Sequence, residues 1–182
     1  EKANSYVDKE AYSKIIQRNG GNDNAFTAED ATTYFATLAS DRVSVVIDLE
    51  SDRMQNLTFD DAQFTPEHQV VMEERRLRTD NTPVAALFEL ISSTAYEAHP
   101  YGWPVIGFMH DLRQATRQDS LAYYRTYYVP GNAFIVCVGD FSSADLMEKI
   151  TKAFSGVPAS ELPPRVRAIE PVQHGERRTV LR

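Results

Sequence analysis

The sequence predicts an α+β fold, and three observations carry that expectation. Segments with apolar residues at helical spacing alternate with runs of strand-forming residues. Few of these segments have the strand–helix–strand spacing that a parallel sheet needs. The composition, 42% hydrophobic with 8 Gly and 9 Pro in 182 residues, supplies a core and gives no sign of disorder.

The elements follow in order. Residues 6–18 carry Tyr12, Ile15 and Ile16 at helical spacing and stop at Asn19-Gly20-Gly21, a helix C-terminus. Residues 24–40 read as one extended segment, with Phe26, Thr32, Thr33, Tyr34, Phe35 and Thr37 as strand formers. Residues 43–54 place Val45, Val46, Leu49 and Met54 near helical spacing. A long helix is expected from Thr65-Pro66-Glu67: Thr caps, Pro fits the first turn, and the acid suits the positive end of the dipole. It runs to about residue 78, breaks at Asn81-Thr82-Pro83 and resumes over 85–95. His99-Pro100-Tyr101-Gly102-Trp103-Pro104 is a rigid loop, and 118–128 a Tyr-rich helix closed by Pro130-Gly131-Asn132. Residues 133–138 read as a buried strand and 142–154 as an amphipathic helix. Leu162-Pro163-Pro164 looks like a linker, and 177–181 like the start of another strand.

A net charge of -7 argues against a nucleic-acid binder or an anionic-membrane binder. No stretch approaches the ~18 apolar residues of a membrane span. Cys137 is the single cysteine, so no intrachain disulfide forms; within Phe134-Ile135-Val136-Cys137-Val138 it reads as a buried, unreactive thiol.

The segment richest in chemistry is Glu67-His68-Gln69-Val70-Val71-Met72-Glu73-Glu74-Arg75-Arg76. Residues seven apart on a helix differ by about 700°, so Glu67 and Glu74 share a face, roughly 10 Å apart along the axis. That spacing suits one metal ligand and one supporting carboxylate, and it equally suits an acidic solvated face. On the plainer reading Glu67 serves the helix N-terminus and Glu74 pairs with Arg78 at i,i+4. Glu73 lies about 100° off that face. The four histidines, His68, His99, His110 and His174, form neither H-E-x-x-H nor H-x-x-E-H. His99 reads as structural and His68 as exposed. There is no G-x-S-x-G and no phosphate-binding glycine loop.

Five blocks in order resemble the pitrilysin/insulinase family of zinc metallopeptidases, the inverzincins. They are Gly20 to Thr27 with Asp30 to Phe35; Glu67 to Arg76; Asp80-Asn81-Thr82-Pro83; His99-Pro100-Tyr101-Gly102; and Tyr127 to Ala133, leading to Val138-Gly139-Asp140. The resemblance covers essentially the whole chain. It implies a mostly antiparallel sheet with helices packed on one face, in a parent of two such halves enclosing a chamber. By resemblance Glu74 is a zinc ligand, Glu67 the supporting acid, and Asn24, Ala25, Phe26 and Thr27 hold a peptide as an added strand. The family's H-x-x-E-H segment, with its two histidine ligands and its glutamate base, would end just before Glu1. No catalytic residue is then expected within this chain, and Zn2+ is expected in the intact parent but not in this piece. Residues 1–158 are expected to be the remainder of the catalytic-type domain, and 159–182 the linker and first strand of the next. The implied partners are a peptide or unfolded polypeptide substrate and a homologous second half or subunit, without membrane insertion. The implied location leans to exported or periplasmic. The alternative is a non-catalytic homologue that partners an active peptidase subunit.

Overall fold

The computed structural model describes residues 9–181, with side chains from residue 11 onward. The expected helical residues 6–8 lie outside the described part. The fold is α+β: seven α-helices and one antiparallel two-stranded sheet among the described residues. It divides into two compact units. The first comprises residues up to Thr58 with Tyr123–Pro163; the second comprises Phe59–Ala122 and the residues from Pro164 onward.

The first unit begins with helix α1, Lys9–Arg18. Its end is a double backbone cap: Gly21 N–H donates to the Ile16 carbonyl (3.0 Å) and Gly20 N–H to that of Gln17 (2.9 Å). Gly20 sits at φ +76°, a conformation that a side chain disfavours. At Gly21 an added Cβ would lie 2.6 Å from the Thr37 carbonyl oxygen, so the chain can turn back only without one. The expected extended segment 24–40 is instead a hairpin. Strand β1, Asn22–Thr27, pairs with β2, Thr32–Thr37, and Ala28 N–H donates to the Ala31 carbonyl (2.8 Å) across the turn. Polar Glu29-Asp30 reverses the chain where a single strand was expected. Helix α2, Val43–Asn56, packs on α1 and on the helix Ser143–Phe154, α7 below. Ser142 caps α7 as its side chain accepts from Asp145 N–H. Ile16, Ile47, Val129 and Leu146 form the buried core.

The second unit is helical. Helix α3, Asp61–Arg75, starts four residues before the expected Thr65 cap. The Asp60 carboxylate accepts from Gln63 N–H (2.9 Å) while the Gln63 side chain accepts from Asp60 N–H (3.1 Å), a reciprocal capping box. Phe59, just before the cap, stacks on Phe64 at 6.4 Å and fixes the entry angle. Pro66 is therefore inside the helix, where it withdraws one backbone hydrogen bond. A π-helical turn, Arg76–Asp80, follows; helix α4, Pro83–Ala95, then opens two residues before the expected resumption at 85, because Pro83, read as part of the break, fits the first turn. Helix α5 is Met109–Gln114, and α6, Arg117–Tyr127, crosses the boundary between the units.

Arg75 fastens α3 into this unit. Its guanidinium is buried and donates to both Glu89 carboxylate oxygens at 2.8 Å and to the Gly107 carbonyl at 2.8 Å; Asp80 lies 3.2 Å away. The residues from Pro164 onward are tied in by a second set of polar contacts. The Glu170 carboxylate accepts from the backbone N–H groups of Glu97, Ala98 and His99 at 2.7, 3.0 and 2.8 Å. Arg177 donates to the Thr94 and Ala95 carbonyls that end α4 and pairs with Glu97 at 2.9 Å.

Three further expectations are corrected. Residues 133–138 join no ladder among the described residues and are not buried: Phe134 is 87% and Val138 93% exposed. Cys137 is exposed with them, because a strand is covered only when neighbours pair with it and pack on it. His68 is half-buried rather than exposed; its ring stacks on Phe64 at 5.2 Å and its Nε2 meets the Leu112 carbonyl. His99 is structural as expected, its ring accepting from Tyr101 N–H at 3.2 Å.

Removing Glu89 strands a buried cation, so Glu89→Ala is expected to lower stability by roughly 3–5 kcal/mol in urea unfolding. Glu73→Ala removes the exposed pair with Arg76 and is expected to stay within about 1 kcal/mol.

Candidate functional site

The sequence-derived site residues fall in both units. Glu67 and Glu74 both lie on the continuous helix α3, so the shared face expected of them holds. Because α3 begins at Asp61, Glu67 is in its second turn. The dipole fades within the first turn, so the helix N-terminus no longer accounts for that acid. Glu67 and Glu74 are each half-buried, and Glu73 is exposed at 63%. Glu74 pairs with Arg78 at 2.9 Å, the i,i+4 contact of the plainer reading; Arg78 is 77% exposed.

No three His, Cys, Asp or Glu side chains converge to hold a metal ion among the described residues. The donors of this chain are therefore not by themselves a zinc centre, which takes three protein ligands and an open position. Glu74 fits the part of one carboxylate in a set completed by other residues, with Glu67 seven positions away on the same face.

In the first unit, alternation along the hairpin separates two faces. Asp23, Ala25 and Tyr34 share the face that meets helices. The Ser13 hydroxyl of α1 donates to Asp23 at 2.7 Å, and the Arg53 guanidinium of α2 lies 3.8 Å from the Tyr34 ring centroid. Asn24, Phe26 and Phe35 share the other face; Phe26 and Phe35 touch diagonally at 6.4 Å and are 57% and 46% exposed. Among Asn24, Ala25, Phe26 and Thr27 no residue is buried, and among the described residues β1 has one strand neighbour and an open edge. The Ala25 N–H is held locally by the Asn24 side chain at 2.8 Å.

Behind Tyr34 lies a cluster that spacing did not foretell. The Tyr34 and Tyr128 hydroxyls meet at 2.5 Å, Tyr12 donates to Glu50 at 2.5 Å, Glu50 pairs with Arg53, and Tyr124 donates to the Arg53 carbonyl at 2.7 Å. Burial and the bond to Glu50 push the Tyr12 phenol well above its ordinary value; burial and the bond to Tyr34 do the same for Tyr128.

Residues 2–107 match the family profile described as insulinase (peptidase family M16), and residues 114–182 the profile described as peptidase M16 inactive domain. The chain belongs to the M16 peptidase family. It is 39% identical over 146 residues to the zinc protease PqqE of Helicobacter pylori, covering 80% of this chain and 33% of that protein. It is 27% identical over 145 residues to a probable mitochondrial-processing peptidase subunit beta of Arabidopsis thaliana, covering 80% of this chain and 27% of that one. A crystal structure of a protease from Helicobacter pylori superposes with a TM-score of 0.91 at 36% identity, over 95% of this chain and 42% of that chain. The chain thus spans about a third of the length of the curated relatives it matches. No helix among the described residues is long and apolar enough to cross a membrane.

The tyrosine cluster yields a pH dependence. Both phenols titrate higher in the folded state than the unfolded value near 10, so their contribution is complete below about pH 10. It is lost as pH rises beyond that. The unfolding midpoint is expected to fall above about pH 10, and Tyr12→Phe with Tyr128→Phe to flatten that fall, as thermal melts across alkaline pH will read.

Proposed function

We propose that this chain is part of a zinc-dependent endopeptidase that hydrolyses peptides or unfolded polypeptides. The carrying observation is the match to the M16 family across both parts of the chain, with a zinc protease among its relatives. In this reading Glu74 is one zinc ligand, and the half-buried Glu67 on the same face is its supporting acid. Zinc, when bound in the parent, lowers the pKa of bound water and polarises the scissile carbonyl. The chain's own residues do the rest of what falls to it. α3, anchored through Arg75, holds the Glu74 backbone steady. The β1 edge at Asn24, Ala25, Phe26 and Thr27 accepts an extended peptide by backbone pairing, which gives affinity without strict sequence preference. Residues 1–158 then act as the remainder of the catalytic-type domain, and 159–182 lead to a homologous second half.

One observation favours a second reading for part of the chain. Residues 114–182 match a profile described as an inactive domain, which suits a structural role beside an active half or subunit.

Three variants in a parent that carries H-x-x-E-H separate the readings. Glu74→Gln is expected to lose most bound zinc and nearly all turnover, since it removes a charged ligand. Glu67→Gln is expected to lose about 10–100-fold in zinc affinity or activity. Glu73→Gln is expected to leave both unchanged. Small, equal effects at all three positions, read by bound metal and peptide turnover, reduce α3 to an acidic solvated helix. The 182-residue chain alone is expected to hydrolyse no peptide and to hold no stoichiometric zinc, as metal analysis by mass spectrometry checks.

A further inference from the structure

The hairpin is held from behind by polar contacts on one of its two faces. Asp23, near the start of β1, accepts from the Ser13 hydroxyl of α1 at 2.7 Å. Tyr34 of β2 stands directly opposite Ala25 in the register and so backs the middle of β1. Its hydroxyl meets that of Tyr128 at 2.5 Å, and the Arg53 guanidinium of α2 lies 3.8 Å from its ring centroid. Arg53 is fixed in turn: Glu50 pairs with it, and Tyr12 of α1 donates to Glu50 at 2.5 Å. Tyr128 follows α6 and precedes the buried Val129. Helix α1, helix α2 and the end of α6 thus converge on one tyrosine.

The kind of contact matters here. Apolar packing tolerates sliding, whereas hydrogen bonds and a cation over a ring fix direction as well as distance. Tyr34 is 40% exposed and the Arg53 side chain 24%, so neither group would be stranded in a dry interior without its partners. What the contacts do fix is where β1 lies. On the other face Phe26 and Phe35 stay exposed. An edge strand already held in place gives up less freedom when an extended chain pairs with it, and that saving appears as affinity.

We propose that Tyr34, Arg53 and Tyr128 are positioning residues for a peptide paired on β1, setting its affinity through their hold on that strand rather than on the metal. The proposal rests on the reading of β1 as the edge that accepts peptide. The hold acts on backbone geometry, so losing it weakens peptides of different sequence by similar factors.

The test uses a parent that carries H-x-x-E-H. KM and kcat are measured for unstructured peptides that it cleaves, well below each variant's melting temperature. Tyr34→Phe, Tyr128→Phe and Arg53→Met are each expected to raise KM about three- to tenfold, with kcat and bound zinc unchanged. Tyr34→Phe combined with Tyr128→Phe is expected to raise it no further than either alone, since the two hydroxyls serve one bond. Arg53→Lys keeps a cation over the ring and is expected to restore most of the affinity. Leu146→Val, a core truncation on α7 of the same unit, is expected to lower the melting temperature and leave KM alone. Amide exchange over residues 24–27 is followed in the zinc-stripped parent with and without the same peptides. Protection of those amides by peptide, together with raised KM in the three variants, supports the proposal. Protection with an unchanged KM in the variants, or with KM raised as much by Leu146→Val, overturns the positioning role and leaves the edge reading standing. An absence of protection removes the edge reading itself, and the positioning role with it.

Discussion

The second unit depends on one buried cation. Arg75 is carried into the interior by α3, and bidentate pairing with Glu89 on α4 is what makes its burial tolerable. The fork also reaches the Gly107 carbonyl, presented at φ +85°, and the Asp80 carboxylate that ends the π-helical turn. A single side chain thereby sets the spacing of two helices, a turn and a loop. The Nε of Arg75 finds no acceptor among the described residues, so the group is held through its two terminal nitrogens, which meet four oxygens. An aliphatic residue of similar length would spare the desolvation but would lose the directional contacts that fix Gly107 and Asp80.

The first unit solves a related problem with aromatic rings. A two-stranded hairpin is marginal by itself and needs something to pack against. Here Tyr34 supplies it, laid under Arg53 and joined through its hydroxyl to Tyr128. Tyr34 stands opposite Ala25 in the register, so the anchor acts on the middle of β1 while the Phe26 side stays open. Side-chain anchoring on one face leaves the β1 backbone edge without a second strand among the described residues, its Ala25 N–H held only by the neighbouring Asn24 side chain.

How much of this was legible follows from the range of each interaction. Local chemistry read well at two places: Asn19-Gly20-Gly21 ended a helix, and Ser142 capped α7 within one residue of expectation; Pro83, read as part of a break, instead opens α4. The start of α3 was equally local and was misread, because Thr65-Pro66 is a louder signal than the Phe59-Asp60…Gln63-Phe64 frame that governs it. The hairpin was hidden because Thr-rich flanks outweighed the polar Glu29-Asp30 between them. Residues 133–138 were misread for a non-local reason: composition reports what a strand wants, while burial reports what has paired with it. The role of Arg75 had no local signal at all, since nothing in Glu74-Arg75-Arg76 tells which arginine turns inward. The shared face of Glu67 and Glu74 was legible from helix geometry, and their proposed roles came only from the family resemblance.

The contact between Glu74 and Arg78 bears on those roles through its size. Exposed i,i+4 pairs contribute about 0.3–0.5 kcal/mol, and Arg78 is 77% exposed. Structural zinc sites bind with roughly 10–16 kcal/mol spread over their ligands, so one carboxylate's share exceeds the ion pair several-fold. An exposed pair of that size would not outweigh a metal if Glu74 holds the proposed ligand role. Arg75, one residue further and turned by about 100°, is committed to four oxygens and does not exchange. Adjacent positions on α3 therefore divide the work: the buried arginine keeps the helix in place, and the neighbouring carboxylate is left weakly engaged on a helix that no longer has to be ordered.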